Sequence, residues 1–292
     1  MKIILDKGEA ALVGDPVRPE VEYQISLRGE SPATTCQRAE RVRAGIIGAY
    51  PGGLGTEAYE RSIERVAQRS LPAVVIITAG STGNERLGAG FVIDPAGLIL
   101  TSVHLLEGAS WVRIGLYNGR TFNQATVRAY DPERDLVLLD VAAWDLPCLP
   151  VRFDPDPTTG GRVVAIGHPH RLCFRVSEGI VSCVRLDPNG TKLVQTTALI
   201  GAGSSGGPLL DETGAAVGVM TFQVGRERLD RFSFAIRTCH VGELLEAMER
   251  LTLEEFGKRR HLDRVAGRTT ISERPAERWR PVHAACPGRE RT

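Results

Sequence analysis

Two adjacent serines lie in a glycine-rich stretch in the second half of this 292-residue chain. Residues 199–210 read LIGAGSSGGPLL, with strand-like apolar residues on both sides. Glycine tolerates positive φ and close backbone approach, so this run predicts a bent loop that presents a serine hydroxyl beside backbone N–H groups. An activated serine needs such donors, because they stabilise the oxyanion formed when the hydroxyl attacks a carbonyl. The alternative is a plain Gly/Ser turn between two strands, and a base with an orienting carboxylate elsewhere would decide between the two.

A candidate base and a candidate carboxylate precede this loop. His104 follows the strand-like residues 98–103 (LILTSV), at the point where the predicted strand gives way to a loop. Asp135 directly precedes the apolar run 136–139, so its carboxylate enters the protein and needs a partner to offset desolvation. A buried imidazole N–H would be a suitable partner for the Asp135 carboxylate. The alternative for His104 is a structural role, which is more common for a histidine at the end of a strand. The order His104, Asp135, Ser205 is one of the three orders in which a Ser-His-Asp triad occurs.

The composition indicates which fold must bring these residues together. Charges nearly cancel, at 36 basic against 35 acidic residues, which argues against a nucleic-acid or membrane binder as a whole. The chain has 32 glycines and 17 prolines, many of them between short β-branched runs, and this favours an all-β fold. The predicted strands cover residues 73–78, 90–93, 98–101, 111–116, 122–129, 136–141, 162–166, 174–185, 193–197, 215–222 and 232–236. This number predicts a double six-stranded β-barrel, with the first barrel over about 73–141 and the second over about 160–240.

The same patterning divides the chain into segments. We predict an irregular extension over residues 1–55 and a folded domain, which contains the three candidate residues, over residues 56–257. A short helix with Tyr59, Ile63 and Val66 on one face is expected to end at Pro72, and the proline-rich stretch 142–161 is the natural connector between the barrels. A C-terminal helix is predicted from the apolar repeat at Val241, 244, 245, 248 and 251. The segment 258–292 carries ten basic and four acidic residues and predicts a disordered tail.

The compartment is inferred from what the chain contains. The apolar run at the start breaks after three residues, which argues against a signal peptide, and the stretch 71–79 is too short for a membrane span. Six cysteines are scattered without metal-type spacing and are interpreted as buried free thiols. These features favour a cytoplasmic protein.

Several blocks in a fixed order carry a family resemblance. They are residues 88–95 (GAGFVIDP), 98–104 (LILTSVH), 131–136 (DPERDL), 163–169 (VVAIGHP), 178–182 (EGIVS), 195–200 (QTTALI), 203–209 (GSSGGPL) and 233–236 (SFAI). The sequence resembles the HtrA/Do-like branch of the trypsin-fold serine peptidases over residues 73 to about 250. The remaining segment is too short for the PDZ domain that usually follows in this family, so the resemblance covers the protease domain only.

The resemblance implies a role for each residue of the site. Ser205 would be the nucleophile, His104 the general base and then acid, and Asp135 the group that orients the imidazole. The N–H groups of Gly203 and Ser205 would form the oxyanion hole. Thr221, on the strand after the nucleophile, would help to hold Asp135.

The resemblance also implies where the substrate side chain would bind. Leu199 occupies the position at the base of the primary pocket, with Phe222 and Ser233 as walls. A leucine cannot recruit Arg or Lys, so cleavage after small or medium aliphatic residues is expected. His168 and His170 form an H-x-H pair, for which a solvated loop is favoured over a metal site, so no metal is expected.

Two functional hypotheses follow. The first is a serine endopeptidase that acts on unfolded or exposed polypeptide through an acyl-enzyme and needs no cofactor. The alternative is a catalytically silent trypsin-fold binding module. The resemblance further implies protein or peptide substrates and a homotrimer, although residues 1–55 do not match the family's trimer contacts. The segment 258–292 has a net charge of +6. A solvated tail is favoured for it over a tether that binds an anionic surface or nucleic acid.

Overall fold

The computed structural model describes residues 63–168, 174–224, 232–265 and 280–281. Within these ranges the helices are α1 (Ile63–Ser70), α2 (Val241–Glu246) and α3 (Leu253–Val265). The strands are β1 (Val74–Ser81), β2 (Asn84–Asp94), β3 (Leu98–Thr101), β4 (Trp111–Leu116), β5 (Thr121–Phe122), β6 (Thr126–Asp131), β7 (Leu136–Asp140), β8 (Arg162–Gly167), β9 (Arg175–Leu186), β10 (Lys192–Thr196), β11 (Pro208–Asp211), β12 (Ala216–Val224), β13 (Phe232–Arg237) and β14 (Arg280–Pro281).

Strands β1–β7 form one antiparallel sheet in the order β5-β4-β1-β2-β3-β7-β6. β3 lies inside this sheet, and Leu100 on it pairs with Phe91 of β2 and with Leu138 of β7. All three side chains are fully buried, which explains why β3 reads as a continuous apolar run. Within the described residues β5 and β6 do not pair with each other, so this sheet stays an open half-barrel.

Strands β8–β14 form a second sheet in the order β10-β13-β12-β11-β8-β9-β14. An additional pairing of β10 with β9 closes six of these strands into a barrel. In this closure Val194 of β10 lies between Val184 of β9 and Ala235 of β13, and all three are buried. The all-β double-barrel prediction is therefore confirmed, except that among the described strands the pairings close only the second barrel.

The connector between the two barrels is fixed by one buried arginine. Arg237, at the end of β13, is fully buried and donates to the carbonyls of Arg152, Phe153 and Pro155 at 2.6, 2.9 and 2.7 Å. Its Nε also lies 3.2 Å from Asp156. One guanidinium thus satisfies three carbonyls of the connector and holds this proline-rich segment on the second barrel.

The end of the domain differs from the single helix predicted over Val241 to Leu251. α2 ends at Glu246, and Leu251 instead pairs with Val127 of β6 through two backbone hydrogen bonds of 2.8 and 2.9 Å. Leu251 is buried in this extended conformation, so its apolar side chain packs at the edge of the first sheet and not on the face of a helix. The spacing of the apolar residues alone did not distinguish a helix that continues to Leu251 from an extended segment.

A second helix, α3, then begins with a capping box. The Glu255 N–H donates to Thr252 Oγ1 at 3.2 Å, and the Thr252 N–H donates to Glu255 Oε2 at 2.8 Å. Because α3 reaches Val265, the prediction of a disordered tail from residue 258 is wrong for residues 258–265. Residues 266–279 and 282–292 lie outside the described residues, and the proposed anionic contact of the tail stays a prediction, as does the homotrimer.

At the other end of the domain, α1 ends at Ser70, and a one-turn 3-10 helix containing Pro72 follows, as the proline predicts. Residues 1–62, including the predicted extension 1–55 and Tyr59, lie outside the described residues. Among the helices that are described, none has both the length and the apolar character needed to cross a membrane.

Candidate active site

The loop that carries Ser205 is fixed to both barrels by backbone hydrogen bonds. The Ser205 carbonyl accepts the N–H of Ala89 on β2 at 2.8 Å. The next residue, Gly206, donates its N–H to the Met220 carbonyl of β12 at 2.7 Å. The Ser205 hydroxyl therefore lies at the boundary between the two sheets, where a crevice is expected in a two-barrel fold.

Gly206 shows how closely this loop approaches the first barrel. Its φ is +84°, and a Cβ at this position would lie 2.2 Å from the Ala89 carbonyl oxygen and 2.3 Å from Thr101 Oγ1. The same Cβ would also lie 3.1 Å from the Ser102 nitrogen. Only glycine fits here, and it places Ser205 against the end of β3.

His104 is positioned from that same end of β3. It lies in the one-turn 3-10 helix Val103–Leu105. Its backbone N–H donates to Asp135 Oδ1 at 2.8 Å, and its ring Nδ1 lies 2.6 Å from Asp135 Oδ2. The Asp135 carbonyl in turn accepts the Val103 N–H at 3.2 Å. One acidic residue thus fixes both the backbone and the ring of His104.

Asp135 is fully buried and has a left-handed backbone conformation, with φ at 59°. Aspartate tolerates this region better than most residues. A third donor reaches its carboxylate from the second barrel, where Thr221 Oγ1 on β12 lies 3.1 Å from Asp135 Oδ2. Together with the two groups of His104, this hydroxyl offsets the cost of burying the charge.

These contacts determine the state of the His104 ring. An ionised carboxylate only accepts hydrogen bonds, so Nδ1 carries the hydrogen and Nε2 is left as the basic atom. Burial lowers the pKa of His104, but the charge and hydrogen bond of Asp135 outweigh it, and the pKa lies above its ordinary value of 6.5. Glu107 raises this pKa further, and Arg86 lowers it.

The Ser205 hydroxyl donates to the backbone carbonyl of Thr221 at 2.9 Å. Among the described residues it makes no hydrogen bond to His104. Thr221 therefore contacts both partners: its side chain contacts Asp135 and its carbonyl accepts from Ser205. The three predicted residues Ser205, Asp135 and His104 are joined in one hydrogen-bonded network through this threonine.

The loop before Ser205 leaves two backbone donors without a partner. Within the described part of the chain, the N–H groups of Gly203 and Ser205 donate no hydrogen bond. Gly203 has a φ of +98°, and its carbonyl accepts the His168 N–H at 3.2 Å. Ser204 is buried and closes the loop, since its N–H donates to the Gly201 carbonyl at 2.8 Å.

His168 does not lie in a solvated loop, so that interpretation is wrong for this residue. Its ring is fully buried, with Nε2 3.1 Å from the Val75 carbonyl of β1 and Nδ1 accepting the Phe174 N–H at 2.9 Å. Burial lowers its pKa to about 4, so the ring is a neutral link between the barrels. His170 lies outside the described residues. No group of three or more His, Cys, Asp and Glu side chains within the described ranges is arranged to hold a metal ion.

Of the three predicted pocket residues, Leu199 and Ser233 have described side chains, and the assignment of all three as base and walls of a pocket stays a prediction. The Leu199 side chain is 65% exposed, which does not fit the base of an enclosed pocket. Its N–H donates to Ser177 Oγ of β9 at 2.8 Å, so the backbone is held while the side chain faces solvent. Ser233 is buried on β13, and the side chain of Phe222 lies outside the described part of the structure.

Sequence reasoning missed the groups that hold the Ser205 loop. The Ala89 N–H and the Met220 carbonyl are backbone atoms, so the identity of these residues does not reveal their role. The signal that could have located them is the Gly206-Gly207 pair, because adjacent glycines after a candidate nucleophile indicate close backbone approach.

Comparisons with known proteins agree with this geometry. Residues 88–219 match the family model described as the trypsin-like peptidase domain. The chain is 32% identical over 221 residues to Protease Do-like 1, chloroplastic, of Arabidopsis thaliana, covering 69% of this chain and 48% of the relative. It is 32% identical over 224 residues to Serine protease HTRA2, mitochondrial, of Bos taurus, covering 72% and 47%. The chain thus spans about half the length of these curated relatives.

Solved structures give the same result. The HtrA-type protease AlgW with tripeptide superposes with a TM-score of 0.58 at 28% identity, over 63% of this chain and 62% of that one. The serine endoprotease from Yersinia pestis gives a TM-score of 0.56 at 30% identity, over 66% and 67%. Two sheets of the expected topology, the matched segment 88–219 and these relatives together establish that the chain contains a trypsin-like peptidase domain of the HtrA-like group.

Proposed function

We propose that this chain is a serine endopeptidase that hydrolyses peptide bonds in unfolded or exposed polypeptide through a Ser205-His104-Asp135 triad. The observation that carries the proposal is the buried Asp135 carboxylate, which binds His104 Nδ1 at 2.6 Å while Thr221 connects it to the Ser205 hydroxyl. Binding alone has no use for this set of side chains. The curated relatives named above are called proteases, which supports the same activity class.

The reaction begins with a change at Ser205. Its hydroxyl leaves the Thr221 carbonyl and donates to His104 Nε2, a bond that often forms only when substrate is present. Nε2 takes the proton as Ser205 Oγ attacks the scissile carbonyl carbon, and Asp135 stabilises the imidazolium. The N–H groups of Gly203 and Ser205 donate to the oxyanion of the tetrahedral intermediate, a contribution of about 3 kcal/mol per donor.

The intermediate then collapses. His104 gives its proton to the leaving amine, the peptide bond breaks, and an ester joins Ser205 Oγ to the acyl half of the substrate. Water attacks this acyl-enzyme with His104 again as base. The returning proton restores the hydroxyl and releases the carboxylate product. Neither half-reaction calls for a metal or an organic cofactor.

The substrate preference is proposed on chemistry rather than on an enclosed cavity. Leu199 supplies no carboxylate to bind Arg or Lys, and its exposed side chain offers an apolar contact. We therefore expect cleavage after small or medium aliphatic residues. Digestion of a peptide library, read by mass spectrometry, tests this preference, and predominant cleavage after Arg or Lys would contradict it.

The activity is tested with a fluorophosphonate probe and with casein. The wild-type chain should react with the probe at Ser205 and hydrolyse casein, and Ser205→Ala should lose both properties. Ser110→Ala is a matched control, since Ser110 is an exposed serine in the bend before β4 and is not one of the three triad residues. Folded wild-type protein that neither reacts with the probe nor cleaves casein would support the silent binding module instead.

A further inference from the structure

Helix α3 packs against β6 of the first barrel and carries a buried arginine, Arg260, on the packed face. Phe256 and Arg260 lie one turn apart on its inner face and are 1% and 4% exposed. Phe256 packs edge-to-face on Tyr130 of β6, with ring centroids 5.0 Å apart. Arg260 extends from this apolar contact toward the turn that follows His104.

The partner of Arg260 is the carboxylate of Glu107. Arg260 Nη2 lies 2.6 Å from Glu107 Oε1, and the two side chains are only 5% and 12% exposed. Asp263, on the same helix, lies farther from the guanidinium, at 3.7 Å from Nη1. An isolated surface pair contributes little, whereas a buried pair of this kind fixes the position of both charges.

Glu107 also belongs to the segment that carries the proposed base. It follows His104 by three residues, in the turn that continues the 3-10 helix Val103–Leu105. Its backbone carbonyl accepts a hydrogen bond from Arg86 Nη1 of β2. Leu105 packs closely on the same strand, because a Cβ at Gly88 would lie 2.3 Å from Leu105 Cδ1. The turn is therefore held from β2 on one side and from α3 on the other.

We propose that Glu107 is a second carboxylate acting on His104, and that Arg260 of helix α3 is a positioning residue that holds this carboxylate in place. The inference rests on the proposed function only in naming His104 as the base. If the proposal holds, helix α3 influences the protonation of His104 in addition to packing against the first barrel.

The charges around His104 determine the direction of the effect. Asp135 and Glu107 both stabilise the imidazolium, whereas Arg86 opposes it. Removing the charge of Glu107 should therefore lower the pKa of His104. Loss of Arg260 removes the ion-pair partner of a nearly buried carboxylate, and because an uncompensated buried charge is costly we expect the carboxylate to turn toward water. That movement weakens its action on His104 in the same direction.

A purely structural role for the ion pair makes a different prediction. If Glu107 and Arg260 only attach α3, breaking the pair lowers stability and leaves the titration of His104 unchanged. A matched control is Glu249→Gln, which removes a carboxylate paired with Arg259 at an exposed position of both partners. This substitution changes the same charge without touching the turn after His104.

The test is an NMR titration of the histidine imidazoles in the full chain, with Ser205→Ala as background and His104→Gln to assign the signal. Glu107→Gln and Arg260→Gln should both move the His104 midpoint to lower pH, and Arg260→Lys should restore it. In active protein, Glu107→Gln should lower kcat by about two- to fivefold, because the imidazolium of the transition state loses a stabilising charge. An unchanged midpoint in Glu107→Gln, or an equal shift in Glu249→Gln, would overturn the proposal.

The double variant Glu107→Gln with Arg260→Gln protects the test against misfolding, since it replaces the pair by two neutral amides. If Arg260 acts through Glu107, the double variant titrates like Glu107→Gln alone. A wild-type midpoint in the double variant would overturn the inference even if neither single variant folds. Because the titration needs no turnover, its outcome is independent of whether the wild-type protein cleaves casein.

Discussion

Thr221 donates its hydroxyl to Asp135 Oδ2 at 3.1 Å, from the second barrel to the first. Its backbone carbonyl accepts the Ser205 hydroxyl at 2.9 Å. The side chain thus supports the charge that orients His104, whereas the main chain holds the nucleophile in its resting position. This division allows the two contributions to be separated by substitution.

Thr221→Val should lower kcat about tenfold with little change in KM, since a hydrogen bond to a buried charge is lost while shape and the Thr221 carbonyl remain. Thr221→Ser, which keeps the hydroxyl, should retain most of the activity. Steady-state kinetics on a peptide substrate measures both variants. Equal losses in Val and Ser variants would show that the hydroxyl is not the important group.

Asp135→Asn should lower kcat by about four orders of magnitude, the size of effect described for this change in Ser-His-Asp enzymes. The amide offers one acceptor oxygen, so it cannot accept from both His104 groups and Thr221 as the carboxylate does. Asparagine tolerates the left-handed conformation at this position, so the fold should persist. Circular dichroism verifies the fold beside the kinetic measurement, and a loss below tenfold would contradict the assigned role.

Local sequence signals were strongest where a polar side chain interrupts an apolar run. Asp135 before β7 and His104 after β3 could be found in this way, and the structure places them in contact. Strand β11 was not predicted, because it begins at Pro208 and follows two glycines, which mark a loop in sequence. Proline is nevertheless accepted as the first residue of a strand.

Tertiary contacts that leave no local signal account for the other differences. Leu251 fits a helical repeat equally well, and only its pairing with Val127 decides that it is extended. The basic composition after residue 257 predicted disorder, yet Arg260 pairs with the nearly buried carboxylate of Glu107, 153 residues earlier in the chain. The pocket role assigned to Leu199 from its spacing to Ser205 stays a prediction, because spacing along a loop does not determine which way a side chain faces.

Acid should destabilise the protein through two buried histidines. Burial lowers the pKa values of His168 and His240 to about 4, and Nε2 of His240 accepts the Lys192 N–H at 2.9 Å. In the unfolded chain these rings bind protons near their ordinary value of 6.5. Their stabilising contribution is thus complete above pH 6.5 and is lost as the pH falls toward 4, by up to about 3 kcal/mol each.

Urea unfolding at several pH values measures this slope. His240→Gln should reduce the loss of stability between pH 6.5 and about 4, whereas His261→Gln, at an exposed position of α3, should leave it unchanged. If wild type and His240→Gln lose stability in parallel across this range, the buried ring is not the group that titrates.

Gly206→Ala should abolish activity. It should also lower the free energy of unfolding by more than the cost of placing an alanine at a positive φ. Gly160 provides the matched comparison, since both glycines have a φ of +84° but only Gly206 has neighbours within 4 Å. Gly160→Ala should cost about 1 kcal/mol from its left-handed conformation and leave activity intact. At Gly206 the added Cβ would meet Ala89 and Thr101 at 2.2 and 2.3 Å, so the loop must move away from the first barrel and carry Ser205 with it. Equal stability and activity of the two variants would mean that the contact between the Ser205 loop and β2 does not determine the position of the nucleophile.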